Sequence, residues 1–181
     1  MKKGYKLLIL KALSFFIENP YEEIHLREFS RKTKISLNSA QRFLSLFLEK
    51  GLIKEERKAN LRYFKTNLDN IVFKHIKITY SINTLQNSGL VEELSKNFHS
   101  VILFGSTGKG IDERKSDIDL VCIGDKKTFD LRMYEQILGK EINAHFFSIP
   151  EWKKQKQNNK AFYIDIISTG INLIGNMPIV D

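Results

Sequence analysis

Val101-Ile102-Leu103-Phe104-Gly105-Ser106 is followed ten residues on by Ser116-Asp117-Ile118-Asp119-Leu120-Val121-Cys122-Ile123. Four apolar residues ended by Gly-Ser read as a buried strand running into a tight turn, and the second run reads as another strand. On a strand, residues two apart point to the same side, so Asp117 and Asp119 face together while Ile118 and Leu120 face the core. Two neighbouring carboxylates repel each other unless a cation lies between them. Oxygen-only ligation with few protein groups favours Mg²⁺, whose remaining positions go to water and phosphates. The adjacent Gly-Ser turn can offer backbone N–H groups and a hydroxyl to those phosphates. An Asp-x-Asp on its own also reads as a turn or a solvated edge; Gly-Ser at this distance is what sets this one apart.

Lys140–Phe147 reads as a further strand, with Ile142, Ala144 and Phe146 on one face and Glu141, Asn143 and His145 on the other. With Leu103-Phe104-Gly105-Ser106-Thr107-Gly108-Lys109-Gly110 leading to Ser116-Asp117-Ile118-Asp119-Leu120, the sequence over about residues 85–155 resembles the DNA polymerase β-like nucleotidyltransferase superfamily, in its minimal nucleotidyltransferase branch. The resemblance implies an αβ fold with a mixed sheet, in which Asp117 and Asp119 hold Mg²⁺ (two ions if active). It also implies that Gly105 and Ser106 hold the triphosphate of an NTP, with Lys109 where the family often has Arg. A third carboxylate is implied on the following strand, and by register Asn143 stands in its place. An amide takes no proton and is a weaker metal ligand than a carboxylate. Glu141 and His145 each lie one pleat away, and either could substitute. The catalytic candidates are therefore Asp117, Asp119, Glu141 and Asn143.

The chain has 181 residues, 29 Lys+Arg against 21 Asp+Glu, a net charge of +8 and a pI near 9.5. With 42% hydrophobic and 28% charged residues, it is neither collagen-like, disulfide-scaffolded nor wholly disordered. The single cysteine, Cys122, cannot make an internal disulfide, which predicts a reducing, cytoplasmic setting. Met1-Lys2-Lys3 followed by Leu7-Leu8-Ile9-Leu10 imitates a leader. Lys11 and Glu18 interrupt the apolar run, and the expectation is a protein with neither signal peptide nor membrane span. The charge is unevenly placed: residues 1–66 hold 15 Lys+Arg and 7 Asp+Glu, and the rest of the chain is balanced.

That basic third predicts three helices: Tyr5–Asn19, stopped by Pro20; Leu26 to about Lys32; and a third capped by Ser36 and ended by Gly51. Two short strands follow, 52–56 and 61–65, around a turn Arg57-Lys58-Ala59-Asn60. Ile35–Leu44 through Glu49–Ile53 resembles the recognition helix and strand entry of winged helix-turn-helix regulators. The resemblance implies double-stranded DNA as partner, with Asn38, Ser39, Gln41 and Arg42 at base edges and Lys34, Arg57, Lys58 and Arg62 at phosphates. It also suggests a homodimer on two half-sites.

Residues 68–84 read as a helical connector with Ile71, Phe73, Ile76, Ile78 and Ile82 apolar. The expected organisation is α+β: a winged helix over 1–67, the connector over 68–84 and a mixed-sheet nucleotidyltransferase fold over 85–181. Three functions follow from the two resemblances. One is a DNA-binding, metal-dependent nucleotidyltransferase acting on a hydroxyl. Another is a regulator whose degenerate transferase domain serves as a nucleotide sensor or docking surface. The third is an antitoxin-like transferase acting on a partner ribonuclease.

Overall fold

A computed structural model of the protein describes residues 3–125 and 128–180; Met1 and Lys2 of the leader-like start, and Asp181, lie outside them. The chain divides into two compact units between Lys77 and Ile78.

The first unit begins with helix α1 (Lys3–Glu18). Asn19 ends it by returning both its backbone and its side-chain N–H to the Phe15 carbonyl, just before Pro20. A two-residue strand β1 (Ile24–His25) leads into α2 (Leu26–Thr33), whose first turn is capped by His25 accepting from the Glu28 N–H. Lys34 then reverses the chain at φ 53°. Ser36 caps α3 (Leu37–Glu49) by accepting from the Ser39 N–H, as the sequence predicts, and Gly51 takes φ +66° just past its end. β2 (Ile53–Lys58) and β3 (Leu61–Thr66) form a hairpin, and β1 adds to β3, giving the antiparallel order β1-β3-β2.

Two expectations change here. Arg57 and Lys58 lie in the ladder, opposite Arg62 and Leu61, because the turn is shorter than its polar composition suggests and Ala59 alone of the non-glycine turn residues takes positive φ. The sheet also gains β1, a strand of two residues that is too short to carry any periodicity. The core is aromatic: Phe16, Phe29, Phe43 and Phe47 are buried, with Phe16 stacked on Phe29 at 5.3 Å. Truncating one such ring costs about 3–5 kcal/mol.

Helix α4 (Ile71–Asn87) starts where the Asn70 side chain accepts from the Phe73 N–H. Phe73 and Ile76 join the first core, whereas Ile82 and Leu85 join the second. Ile71 is 64% exposed, since the helix begins at that residue and its inward positions start at Phe73. Lys77 is buried instead, and its Nζ donates to the Ile17 carbonyl in the last turn of α1, the negative end of that helix.

The second unit continues with α5 (Leu90–Ser95), β4 (Phe98–Phe104), the single-turn α6 (Gly105–Gly108), β5 (Ile118–Gly124), α7 (Arg132–Leu138), β6 (Ile142–Phe147), α8 (Ile149–Asn158), α9 (Lys160–Thr169) and β7 (Ile171–Ile174). The sheet order is β6-β5-β4-β7; β5 and β6 run parallel with α7 in their crossover, and the other pairs are antiparallel. Strand alternation splits the core into two layers. Leu103, Leu120, Cys122 and Ile142 pack with Leu90, Leu94 and Tyr134, and Ile102, Phe104, Val121 and Ile123 pack with Trp152, Tyr163 and Ile166 of α8 and α9. The second layer matters most, because Asp119 shares its face with Val121. Among the described residues no helix is long and apolar enough to cross a membrane. The architecture is mixed α+β, as the sequence predicts, and the mixed sheet is consistent with a nucleotidyltransferase fold.

Candidate active site

The site is built where β4 turns into α6. Phe104 is extended and Gly105 switches to φ +66°, a region an L side chain rarely adopts. A Cβ on Gly105 would lie 2.1 Å from Oδ2 of Asp119, so the glycine is demanded twice, by its backbone angle and by the carboxylate packed over it. The turn is closed by the Lys109 N–H donating to the Gly105 carbonyl at 3.1 Å and the Ile111 N–H to the Ser106 carbonyl at 3.0 Å. Buried Thr107 reaches forward, its hydroxyl 3.5 Å from the Asp117 carbonyl.

Strand pairing brings the other groups in. Asp119 lies opposite Phe104 on one side and opposite Asn143 on the other. The Asn143 amide donates from Nδ2 to Asp119 Oδ1 at 3.2 Å. Ile118 and Leu120 are buried, which turns Asp119 to the α8/α9 layer. Asp117 stands one residue before β5, exposed, rather than on the strand; pairing starts at Ile118, whose N–H donates to the Glu141 carbonyl at 2.9 Å. Glu141 likewise lies one residue before β6 and is exposed, its carbonyl accepting the Ile118 N–H. Among the described residues no group of three or more His, Cys, Asp or Glu could hold a metal ion. The position opposite Asp119 carries an amide, Asn143, rather than a carboxylate.

His145 shares the Asn143 face and packs between aromatic rings, 6.0 Å from Phe104 and 5.3 Å from Phe162 between centroids. It forms part of an aromatic wall beside the carboxylate. Lys109 extends from the end of α6, and its Nζ lies 2.9 Å from Asp165 Oδ1 on α9. Asp165 and Phe162, three residues apart on one helix face, belong to no motif, and nothing in the local sequence ties Asp165 to a lysine 56 positions away. The loop into Asp117 is pinned by Asp112, 3% exposed, which accepts from Lys140 Nζ at 3.0 Å; the same ammonium donates to the Glu113 carbonyl at 3.2 Å. No sequence pattern announces this tie to the start of β6 either, since it joins two charges 28 residues apart.

The first unit gathers another set. Asn38, Gln41 and Arg42 line one groove along α3 with Ser45, Leu46 and Glu49. Ser39 sits beside them, its hydroxyl accepting from Ser36 Oγ at 3.0 Å, and Lys34 is exposed at the end of α2. A second groove between α3 and the hairpin is lined by Gln41 and Ser45, by Asn60, Leu61 and Arg62, and by His25 and Arg27, the last two unanticipated. Arg57 is exposed on β2. Lys58 pairs with Glu23, and Arg62 forks onto Glu55, with Nε to Oε1 at 2.6 Å. These hydrogen-bonded pairs pull the Glu23 and Glu55 carboxyls below their ordinary pKa and push Lys58 and Arg62 above theirs.

Comparison with curated proteins finds no match. Residues 87–167 match the model of the nucleotidyltransferase domain family, which supports a nucleotidyl transfer function for the second unit.

Proposed function

We propose that the second unit binds a nucleoside triphosphate with Mg²⁺ and transfers its nucleoside monophosphate to a hydroxyl acceptor, and that the first unit is a winged helix-turn-helix that places this domain on double-stranded DNA. The observation that carries the first half is the interlock of Gly105 with Asp119: the turn suited to phosphate and the carboxylate suited to metal occupy each other's space. In the transfer, the acceptor oxygen bonds to the α-phosphorus as the bond from that phosphorus to the pyrophosphate oxygen breaks. Pyrophosphate leaves, and the hydroxyl proton goes to solvent.

Mg²⁺, when bound, neutralises phosphate charge and makes the α-phosphorus more electrophilic. Asp117 and Asp119 are oxygen donors of the right kind for the ion that arrives with the nucleotide. The donor set does not suit a second ion, because Asn143 turns an N–H toward Asp119 where a third carboxylate would be needed. Gly105 and Ser106 hold the phosphates, Lys109 offers them its charge, and the wall of Phe104, His145 and Phe162 limits water beside Asp119. With no carboxylate at position 143 to take the acceptor's proton, transfer is slow.

The same Asn143 contact favours a second reading, in which the domain binds Mg-NTP without turnover and acts as a nucleotide sensor. Incubation with Mg²⁺ and each α-labelled NTP, against Asp117→Ala/Asp119→Ala, separates them. Label on the protein, on nucleic acid or on an added acceptor with the wild type alone establishes transfer; tight binding with no label establishes the sensor. For DNA, the neighbouring Asn38, Gln41 and Arg42 on α3 support base reading. Salt-dependent binding of duplex DNA by the full chain, weakened by Arg42→Ala, tests it. Salt-insensitive binding, or none, removes that half of the proposal.

A further inference from the structure

The Lys109 ammonium is engaged by Asp165, with Nζ 2.9 Å from Oδ1. Both side chains are about two-fifths exposed, at 40% and 41%, so the pair is open to solvent and weakly held. The contrast within the same unit is Lys140–Asp112, where the carboxylate is 3% exposed and the ammonium has a second acceptor. That pair is a structural tie, whereas Lys109–Asp165 is open to solvent on both sides.

Two details show what would happen on opening. The Thr169 hydroxyl donates at 2.8 Å to the Asp165 carbonyl and lies 3.2 Å from the Oδ1 that holds Lys109, near enough to turn its proton to that carboxylate if the lysine leaves. The root of Lys109 is fixed as well: its N–H closes the turn onto Gly105, and a Cβ on the preceding Gly108 would meet the Leu103 carbonyl oxygen at 3.1 Å and that of Thr169 at 3.9 Å. The turn thus sits tightly against the end of β4, with the last residue of α9 at ordinary contact distance. Only the four-carbon stem of Lys109 is left to swing.

We propose that Asp165 is a displaceable stand-in for nucleotide phosphate on Lys109. It holds the ammonium beside the Gly105–Gly108 turn in the nucleotide-free protein and gives it up to the β- and γ-phosphates of a nucleoside triphosphate, so that this exchange sets the affinity of the site and its preference for triphosphate over monophosphate. The inference rests on the reading of this turn as a nucleotide site. Asp165 touches Lys109 rather than the reacting atoms, and its role is to position and to compete.

The test is calorimetric titration of the full chain with Mg²⁺ and the α,β-methylene analogues of the four NTPs, and with the corresponding nucleoside monophosphates. Asp165→Asn keeps the acceptor for Lys109 and Thr169 but removes the competing charge. It should tighten triphosphate binding about two- to five-fold, the scale of an exposed ion pair, and leave monophosphate binding within error. Lys109→Met should weaken triphosphate binding, and in that background Asp165→Asn should give no gain. A merely structural Asp165 predicts no change in affinity, and a purely orienting one predicts weaker binding; either result overturns the proposal, as does a gain that persists without Lys109. If the wild type binds the analogues and Asp117→Ala/Asp119→Ala abolishes this while Asp165→Asn changes nothing, the exchange alone has failed. If the wild type binds none of them, the reading of the site fails with it.

Discussion

Replacing Gly105 with alanine separates what the turn contributes to stability from what it contributes to the site. The residue is held at φ +66°, where an L side chain costs about 1–2 kcal/mol. Its new Cβ would fall 2.1 Å from Asp119 Oδ2, so that carboxylate must withdraw by about 1 Å to reach ordinary contact, adding about 0.5–1.5 kcal/mol of off-rotamer strain. The total is about 1.5–3.5 kcal/mol, a drop of roughly 6 °C or more in the unfolding midpoint of a domain of this size. Trp152, the only tryptophan and 2% exposed in the second unit, reports that transition through its fluorescence. Gly139→Ala is the control, because Gly139 has φ +63° with nothing within 4 Å of its Cβ position. It should cost only the backbone share and leave Mg-NTP binding intact, whereas Gly105→Ala should abolish binding at temperatures where the protein is still folded. Removing Asp119's side chain in the Gly105→Ala background should return the clash share of the lost stability. Wild-type binding by Gly105→Ala, or equal loss of binding in both glycine variants, would refute the interlock.

Asn143→Asp places a second carboxylate where the amide now lies 3.2 Å from Asp119 Oδ1. In a water-like dielectric that repulsion is about 1 kcal/mol, so the Trp152 midpoint should fall by several degrees without divalent ion and recover with Mg²⁺. Label transfer should rise with it; equal Mg²⁺ stabilisation of variant and wild type counts against this account. Burial pushes the Cys122 thiol up to about 12, so at pH 8 it stays protonated and should resist a thiol-specific disulfide reagent in the folded chain while reacting promptly in denaturant. Prompt labelling of the native protein would contradict the packing of β5. On DNA, deleting a cation that neutralises one phosphate lowers the slope of log K against log salt by about 0.9. Lys34→Ala should show most of that change, whereas Lys58→Ala and Arg62→Ala should show less, because those cations are already matched by Glu23 and Glu55. Equal slope changes in all three would mean that the hairpin exchanges its carboxylates for phosphates.

Much of the second unit is legible in the sequence because its chemistry is local. A β-strand's period of two assigns faces without any knowledge of neighbours, so the burial of Ile118 and Leu120 and the exposure of Asn143 on the Glu141 side follow from alternation alone. Helix caps are legible for the same reason, Ser36 and Gly51 acting through bonds and angles within a few residues. The strand β1 and the helix α7 are not, since the first is too short to show a period and the second sits in a stretch of mixed polarity. Alternation also sets Asp117 and Glu141 one position too deep into their strands, because the pattern of side chains continues past the point where the ladder's hydrogen bonds begin.

The Gly-Ser turn, the two aspartates beyond it, an amide at position 143 and the confinement of the charge surplus to the first 66 residues can be read from the chain alone. Those are matters of composition and of spacing along one chain. Folding alone settled which groups those residues meet. It brought Asp119 over Gly105 and under Asn143, gave Lys109 to Asp165, tied Asp112 to Lys140 and matched Lys58 and Arg62 with glutamates. Contacts of this kind join strands and helices tens of residues apart, and an ion pair leaves no periodic trace from which its partner could be read. The charge that a sequence counts is therefore not the charge that a ligand meets.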